Sequence, residues 1–368
     1  MKTLKVLFLI TISVLFTTCE EPGTVQTPPH EDTDFVPDEK TDTKIIFISR
    51  RIDNSADWNL LAMNPDGSEQ TKLTELTVRC EQVVLSRSAQ SILFVHYSDD
   101  HFYELYSINV DGTNLKLIDK ADRYCGSPDW STDDSKIIYS KNRDESTDER
   151  DLILFDVMSN AKQIVADVDD NISGRFSKDN KIAFSRGNYR TNDIYLMEKD
   201  GSNKQKIISN AGAPVWSPDG KKIAYVSKGM TNTPQIFVSS SDGSDVKQLT
   251  NTALESWDSG YPNFGNHSPQ WTPDGKQIVY VSEINDGLPE IYIMNNDGSG
   301  QTRLTDTDRR NENPRISGDG NYIYFTSNRD LTYGADIFIM QIDGKKQNPL
   351  TKYAGDDTFP VTVTADKE

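Results

Sequence analysis

Cysteine, histidine and clustered positive charge are all scarce in this chain of 368 residues. Three cysteines, Cys19, Cys80 and Cys125, allow one intramolecular bridge at most. The four histidines are scattered at positions 30, 96, 101 and 267. Lys and Arg number 39 against 57 Asp and Glu, a formal charge of −18, and no basic stripe interrupts the deficit. That balance excludes binding to a nucleic-acid backbone, which needs clustered cations. No stretch sustains a helical period, so helical fold classes are excluded. A Gly-x-Ser-x-Gly nucleophile turn is absent, which argues against a serine hydrolase. The one long apolar run, Val6 to Phe16, is too short to cross a bilayer as a helix.

What surrounds that run reads as an export signal. Lys2 and Lys5 precede it, and Leu15-Phe16-Thr17-Thr18-Cys19 ends it. A small residue before cysteine resembles a bacterial lipobox, which implies acylation of Cys19 and a membrane anchor. Thr18 and Phe16 depart from the commonest form of that motif. Residues 1–19 are thus expected to be a lipoprotein-type signal peptide. Residues 20–43 hold four prolines and eight acidic residues against one lysine, a composition that cannot offset its ordering entropy. This segment is expected to be a disordered tether, with the folded body at 44–368.

The body is built from repeats. Ile194-Tyr195-Leu196-Met197 runs on to Asp200-Gly201, and the same pattern recurs at 291–298 and 337–344, with weaker copies ending at Gly67, Gly112 and Gly243. A seventh copy, Leu152-Ile153-Leu154-Phe155, reaches Ser159-Asn160 instead of Asp-Gly. Before each copy stands a second motif: Pro214-Val215-Trp216-Ser217-Pro218-Asp219-Gly220 matches Pro269 to Gly275, Pro128 to Ser131 and Pro314 to Gly320. An apolar run ending in Ser follows, and each unit closes on a segment such as Gln248-Leu249-Thr250. Every unit therefore supplies four short strands: a (Pro-x-Trp), b (apolar), c (Ile-Tyr-x-Met) and d (x-Leu-Thr). Asp-Gly pairs spaced about 45 residues apart have the period of a four-stranded propeller blade. Seven units predict an all-β, seven-bladed propeller. Unit one begins at Lys44 as strand b, and Phe359 to Val363 reads as a lone strand a, so the C-terminal strand is expected to close the ring.

The Pro-x-Trp-Ser-Pro-Asp-Gly pattern resembles the TolB-type propeller repeat, which is related to the WD repeat and is shared by TolB and the propellers of prolyl oligopeptidases. The resemblance spans residues 44–363, without the α/β domain that precedes the propeller in TolB. It also extends to polysaccharide lyases built as single seven-bladed propellers, among them oligogalacturonate lyases. That kinship would imply a histidine-rich metal site at the channel mouth, where this chain offers His267 alone; a Tyr/Arg mechanism through Tyr261 or Tyr333 with Arg329 is the other lyase route.

In such a blade the a–b and c–d turns share one face and the b–c and d–a loops the other. The first set is short and uniform; the second is long and varied, above all at residues 251–268. Varied loops on a rigid ring are where binding resides, so the b–c/d–a face and the channel mouth carry the candidate site. Residues three before the strand-a proline, Cys80, Cys125, Asn171, Ala211, Asn266, Asn311 and Asp357, are expected to rim that mouth. Asn there has a second reading, as the residue that satisfies the turn into strand a. His267, Glu312, Glu81 and Thr358 come next, with Asp169, Asp170 and Asp356 nearby. The longest loop adds Trp257, Asp258, Tyr261 and Phe264, aromatics suited to a sugar or to an apolar anchor, or to fixing the loop itself. Arg329 and Tyr333 complete the candidate set. Cys80 and Cys125 share a register in adjacent blades, which leaves a disulfide or two small buried residues. Residues 167–171 alternate oxygen ligands but lack the Gly and Glu of an EF-hand, so no metal and no cofactor is expected. The expected function is a non-catalytic scaffold, lipid-anchored in a bacterial cell envelope, periplasmic or surface-exposed. It would bind an envelope protein or glycan, with a uronate lyase as the alternative.

Overall fold

The strands of the computed structural model fall into seven antiparallel sheets of four, each in the order a-b-c-d. The structure describes residues 44–51, 58–76, 80–144, 146–187, 192–228, 233–252, 265–283, 287–329, 334–352 and 355–363. The expected signal segment, Cys19 and the expected tether lie outside these residues. Among the described residues no helix is long and apolar enough to cross a membrane. Blades 2 to 7 each take their four strands in sequence, starting at Cys80, Cys125, Asp170, Ala211, Asn266 and Asn311. Blade 1 is composite. Strand Gly355–Val363 pairs with Lys44–Arg51, from Lys44↔Val363 to Arg51↔Gly355. The ring is thus closed as the unpaired ends of the repeat require.

Strand b is apolar at nearly every position because it is covered on both sides. Ile223 and Tyr225 of blade 5 pack with Ala183 and Ile194 of blade 4, while Ala224 between them packs with Trp271 and Tyr280 of blade 6. Period-2 side-chain alternation therefore sends alternate residues into two different cores. Directly opposed b–c aromatics recur in five blades: Phe94–Tyr106, Phe184–Tyr195, Tyr225–Phe237, Tyr280–Tyr292 and Phe325–Phe338, with ring centroids 5.5–5.7 Å apart. Each such cross-strand pair contributes about 0.2–1 kcal/mol.

The repeat residues tie blade to blade. At the c–d turn, Gly298 (φ +83°) sits where a Cβ would lie 3.1 Å from the Leu249 carbonyl oxygen of the preceding blade, so both conformation and space demand glycine. In blade 3, Asn160 takes the left-handed turn position at φ +59°. Two of the three strand-a tryptophans also reach backwards. Trp216 Nε1 donates to the Arg175 carbonyl at 3.0 Å, and Trp271 Nε1 to the Val215 carbonyl at 3.2 Å, each in the preceding blade.

One feature of the innermost strands is invisible in the repeat. Every strand a is bulged, and its third aligned residue is left-handed although none of the seven is glycine: Gln82, Ser127, Ser173, Ala213, Ser268, Asn313 and Phe359, at φ 52° to 58°. These bulges turn the strands along the wall of the central channel.

Two measurements test this frame. Deleting residues 359–368 removes half of the closing strand; a lower melting temperature and aggregation are expected, and an unchanged melt would refute the closure. Ala213 is exposed and left-handed. Ala213→Gly should relieve about 1–2 kcal/mol of backbone strain and give back part of it to unfolded-chain entropy, so denaturant titration is expected to show a net gain of up to about 1 kcal/mol.

Candidate functional site

The residues expected to rim the channel mouth are instead buried between blades. Asn171, Asn266, Asn311, Asp357, Ala211, Cys80 and Cys125 are all at most 2% exposed. The physical reason lies in the d–a turn. In blade 6, Thr305 at the end of x-Leu-Thr accepts from the Ile291 N–H at 2.9 Å and donates its hydroxyl to Glu290. Asn311, opening blade 7, then places Nδ2 3.0 Å from Glu290 Oε2, 2.7 Å from Thr307 Oγ1 and 3.2 Å from the Arg309 carbonyl. Blade 5 repeats the arrangement: Thr250 donates to Gln235 at 2.7 Å, and Asn266 donates to Gln235 at 3.0 Å. Asn171 donates to main-chain carbonyls of Arg150, Val168 and Asp169. The asparagines are therefore turn and inter-blade ties, unavailable to a ligand.

Arg329 is absorbed in the same network. Its guanidinium donates to Asn311 Oδ1 at 2.6 Å, Gln347 Oε1 at 2.7 Å and Ser327 Oγ at 3.0 Å, and lies over the rings of Phe338 and Phe325. Burial pulls it down to about 10, against the opposing charge of Glu290. Arg186 repeats this role in blade 4, donating to Asn171 Oδ1 at 2.9 Å and stacking on Tyr195. Arg143, the other copy of Asn-Arg-Asp, pairs with Asp151 at 2.8 Å.

Of the two readings of Cys80 and Cys125, the structure bears out two small buried residues: both thiols are free. Each packs in a separate core, Cys80 between blades 1 and 2 and Cys125 between blades 2 and 3, so blade 2 stands between them. Burial pushes both thiols up to about 12, and Cys80 Sγ donates to the Trp58 carbonyl at 3.3 Å.

His267 is half-exposed, with Nδ1 3.0 Å from Ser268 Oγ and Nε2 3.9 Å from Glu283. His96 is buried beside Glu104 at 3.2 Å and His101 meets Tyr97, both in blade 2. Among the described residues no three His, Cys, Asp or Glu side chains form a metal-holding group. Glu312 and Asp356 do come together on the loop face, lining a cleft of about 240 Å³ between blades 7 and 1; Glu312 pairs with Arg310 at 2.9 Å and Asp356 accepts from the Ala335 N–H. Trp257, Asp258, Tyr261, Phe264 and Tyr333 lie outside the described residues.

A larger cleft on the same face, about 920 Å³, opens where blades 3, 4 and 5 meet. Its floor is charge-paired: Arg150 Nε donates to Asp170 at 2.6 Å, and Lys206 meets Asp193 at 3.3 Å. Its rim presents Asp148, Glu149 and Asp169 to solvent. Asp169 and Asp170 are legible in the acidic run before strand a, but Arg186, Tyr195 and Lys206 come from other strands, and only folding brings them together.

Residues 88–261 and 261–367 match the family model described as the TolB beta propeller domain. An uncharacterized protein of Agrobacterium fabrum is 33% identical over 144 residues, 39% of this chain and 44% of that protein. Dipeptidyl-peptidase 5 of Porphyromonas endodontalis is 30% identical over 159 residues, 40% of this chain and 19% of that protein. The chain spans less than half the length of these curated relatives. Among solved structures, TolB of Acinetobacter baumannii superposes with a TM-score of 0.52 at 17% identity, over 83% of this chain and 79% of that one. The propeller domain of the Trilobed protease of Pyrococcus furiosus gives 0.62 at 14%, over 86% and 96%. An oligogalacturonate lyase in complex with manganese gives 0.57 at 15%, over 83% of each. At these identities the superpositions show the fold.

Buried ties and solvent-facing rim should separate cleanly on mutation. Asn311→Ala leaves Glu290 and Arg329 short of a buried partner and is expected to cost about 1–3 kcal/mol in urea unfolding. Asp148→Ala, on the rim, should stay within about 0.5 kcal/mol of the parent.

Proposed function

This chain belongs to the TolB beta propeller domain family, and from that premise we propose that it is a non-catalytic binding scaffold of the bacterial cell envelope. On this reading Cys19 carries the lipid anchor, and the tether sets the ring off the membrane. A protein or glycan partner docks on the b–c/d–a face. The observation that carries the reading is the 920 Å³ cleft at blades 3 to 5. Its floor charges neutralise one another, while Asp148, Glu149 and Asp169 are exposed at its rim, Asp148 in a surface pair with Arg123 and Glu149 in one with Arg143. Paired charges stiffen a surface, and the exposed carboxylates of a chain of net charge −18 steer a partner of opposite sign. A basic protein edge, or a glycan with cationic substituents, fits that potential.

The lyase alternative draws on the shared fold with oligogalacturonate lyase. β-Elimination from a uronate needs a base and a cation against the carboxylate. His267, held by Ser268 and close to Glu283, is the one described histidine on the loop side of an innermost strand.

One experiment separates the readings. The full chain and its Asp148→Lys/Asp169→Lys variant are used to capture partners from envelope extracts, and both are incubated with uronate polysaccharides while absorbance of the unsaturated product is followed. Capture of an envelope partner by the parent, reduced at least tenfold in the variant, with no product formed, is the expected result. Product formation that disappears in His267→Ala would overturn the scaffold reading. Release of Cys19→Ser from the membrane fraction is expected in the same preparation; its retention there would overturn the anchor.

A further inference from the structure

The wall of the central channel holds a second, chemically distinct feature, at the end away from the varied loops. At the fifth aligned position of strand a, just before the a–b turns, stand Arg175 in blade 4 and Arg315 in blade 7. Both line one cavity of about 450 Å³, to which all seven innermost strands contribute. This cavity shares Arg87, Asp129, Arg175 and Val215 with a second, of about 390 Å³, that opens among the a–b turns and adds Lys178.

The charges here do not cancel. Asp129 is already engaged: Arg87 Nη2 lies 3.1 Å from Oδ1, and the Phe176 N–H donates to Oδ2 at 2.8 Å. Arg175 donates only to main-chain carbonyls, Ser127 at 3.3 Å and Gly174 at 2.8 Å. Arg315 donates to the Pro314 carbonyl at 2.9 Å, which also accepts from Gln270 Nε2 at 2.5 Å. Among the described residues no carboxylate lies within ion-pair distance of either guanidinium, and each has donors left over. Burial, with the neighbouring charge of Arg175, pulls Arg315 down to about 10. Two like charges kept uncompensated inside a chain of net charge −18 are costly unless something answers them.

We infer that the channel is an anion-binding site in which Arg175 and Arg315 together hold a small ligand carrying two or more negative charges, a polycarboxylate or a phosphate. Guanidinium forks suit planar carboxylate and phosphate oxygens, and the cavity volume lies within the range of small-molecule sites, about 300–1,000 Å³. Entry is from the tight-turn face, past Arg87 and Lys178. The site is therefore independent of partner docking on the loop face, and either can fail without the other.

Calorimetric titration of the purified chain with citrate and with inorganic phosphate, at constant ionic strength and with chloride as control, tests this. Saturable one-to-one binding of citrate or phosphate is expected, with citrate the tighter if the ligand is a carboxylate and phosphate if it is not. Arg175→Gln and Arg315→Gln should each weaken binding at least tenfold, while Arg310→Gln, on the loop face, leaves it unchanged. Gln270→Glu removes no arginine but supplies an internal carboxylate to the same ring. It should abolish binding and raise the unliganded melting temperature, a combination that misfolding cannot produce. No saturable binding of either anion, or binding that persists in the Arg175→Gln/Arg315→Gln double variant, overturns the inference.

Discussion

Everything in this ring depends on the fact that a blade is apolar on both of its faces. Ala224 and Tyr225, adjacent on one strand, belong to different cores. A single blade therefore cannot bury its own surface, and two neighbours are the minimum for each. Closure by strand Gly355–Val363 supplies the last of these neighbours and removes the open sheet edge that an unclosed ring would expose. The polar residues of the repeat serve the same end. Thr305, Glu290 and Asn311 lead from strand d through strand c into the next blade, and these three are bonded to one another or to main chain across the turn and the blade boundary.

The architecture was legible because it is written seven times. Asp-Gly marks the c–d turns, Pro-x-Trp marks the innermost strands, and the orphan strands at Lys44 and Phe359 point to closure. The site was much less legible. Asn266 and Asn311 read as ligands or, more readily, as turn residues, and their bonds to Gln235 and Glu290 decide for the turn. Cys80 and Cys125 share a register but not a core, because register in a propeller places residues at one height around the ring and leaves a sheet between neighbours. The left-handed bulges left no trace, since Ser, Gln, Ala, Asn and Phe at those positions carry no common propensity for positive φ.

The two faces divide the chemistry differently from the way loop length implies. Varied loops do enclose a cleft of about 920 Å³, lined by Asp148, Asp169 and Lys206. Yet Arg175 and Arg315, which have no carboxylate within ion-pair distance among the described residues, sit at the uniform end, where turns are short and residues are held by strand geometry. Side chains fixed on strands are better preorganised than those on loops, so a small ion is better served there and a large partner at the loops.

The composite blade also orders events in time. Strand a of blade 1 is synthesised after every other strand of the ring, whereas its partner at Lys44–Arg51 is synthesised before them. Contacts this distant in sequence form late, and six blades can assemble while the seventh waits for its fourth strand. The ring stays an open arc, with an unpaired edge at Lys44, until strand Gly355–Val363 is present. The arrival of strand Gly355–Val363, and not local blade stability, then sets the moment at which the ring becomes a closed body.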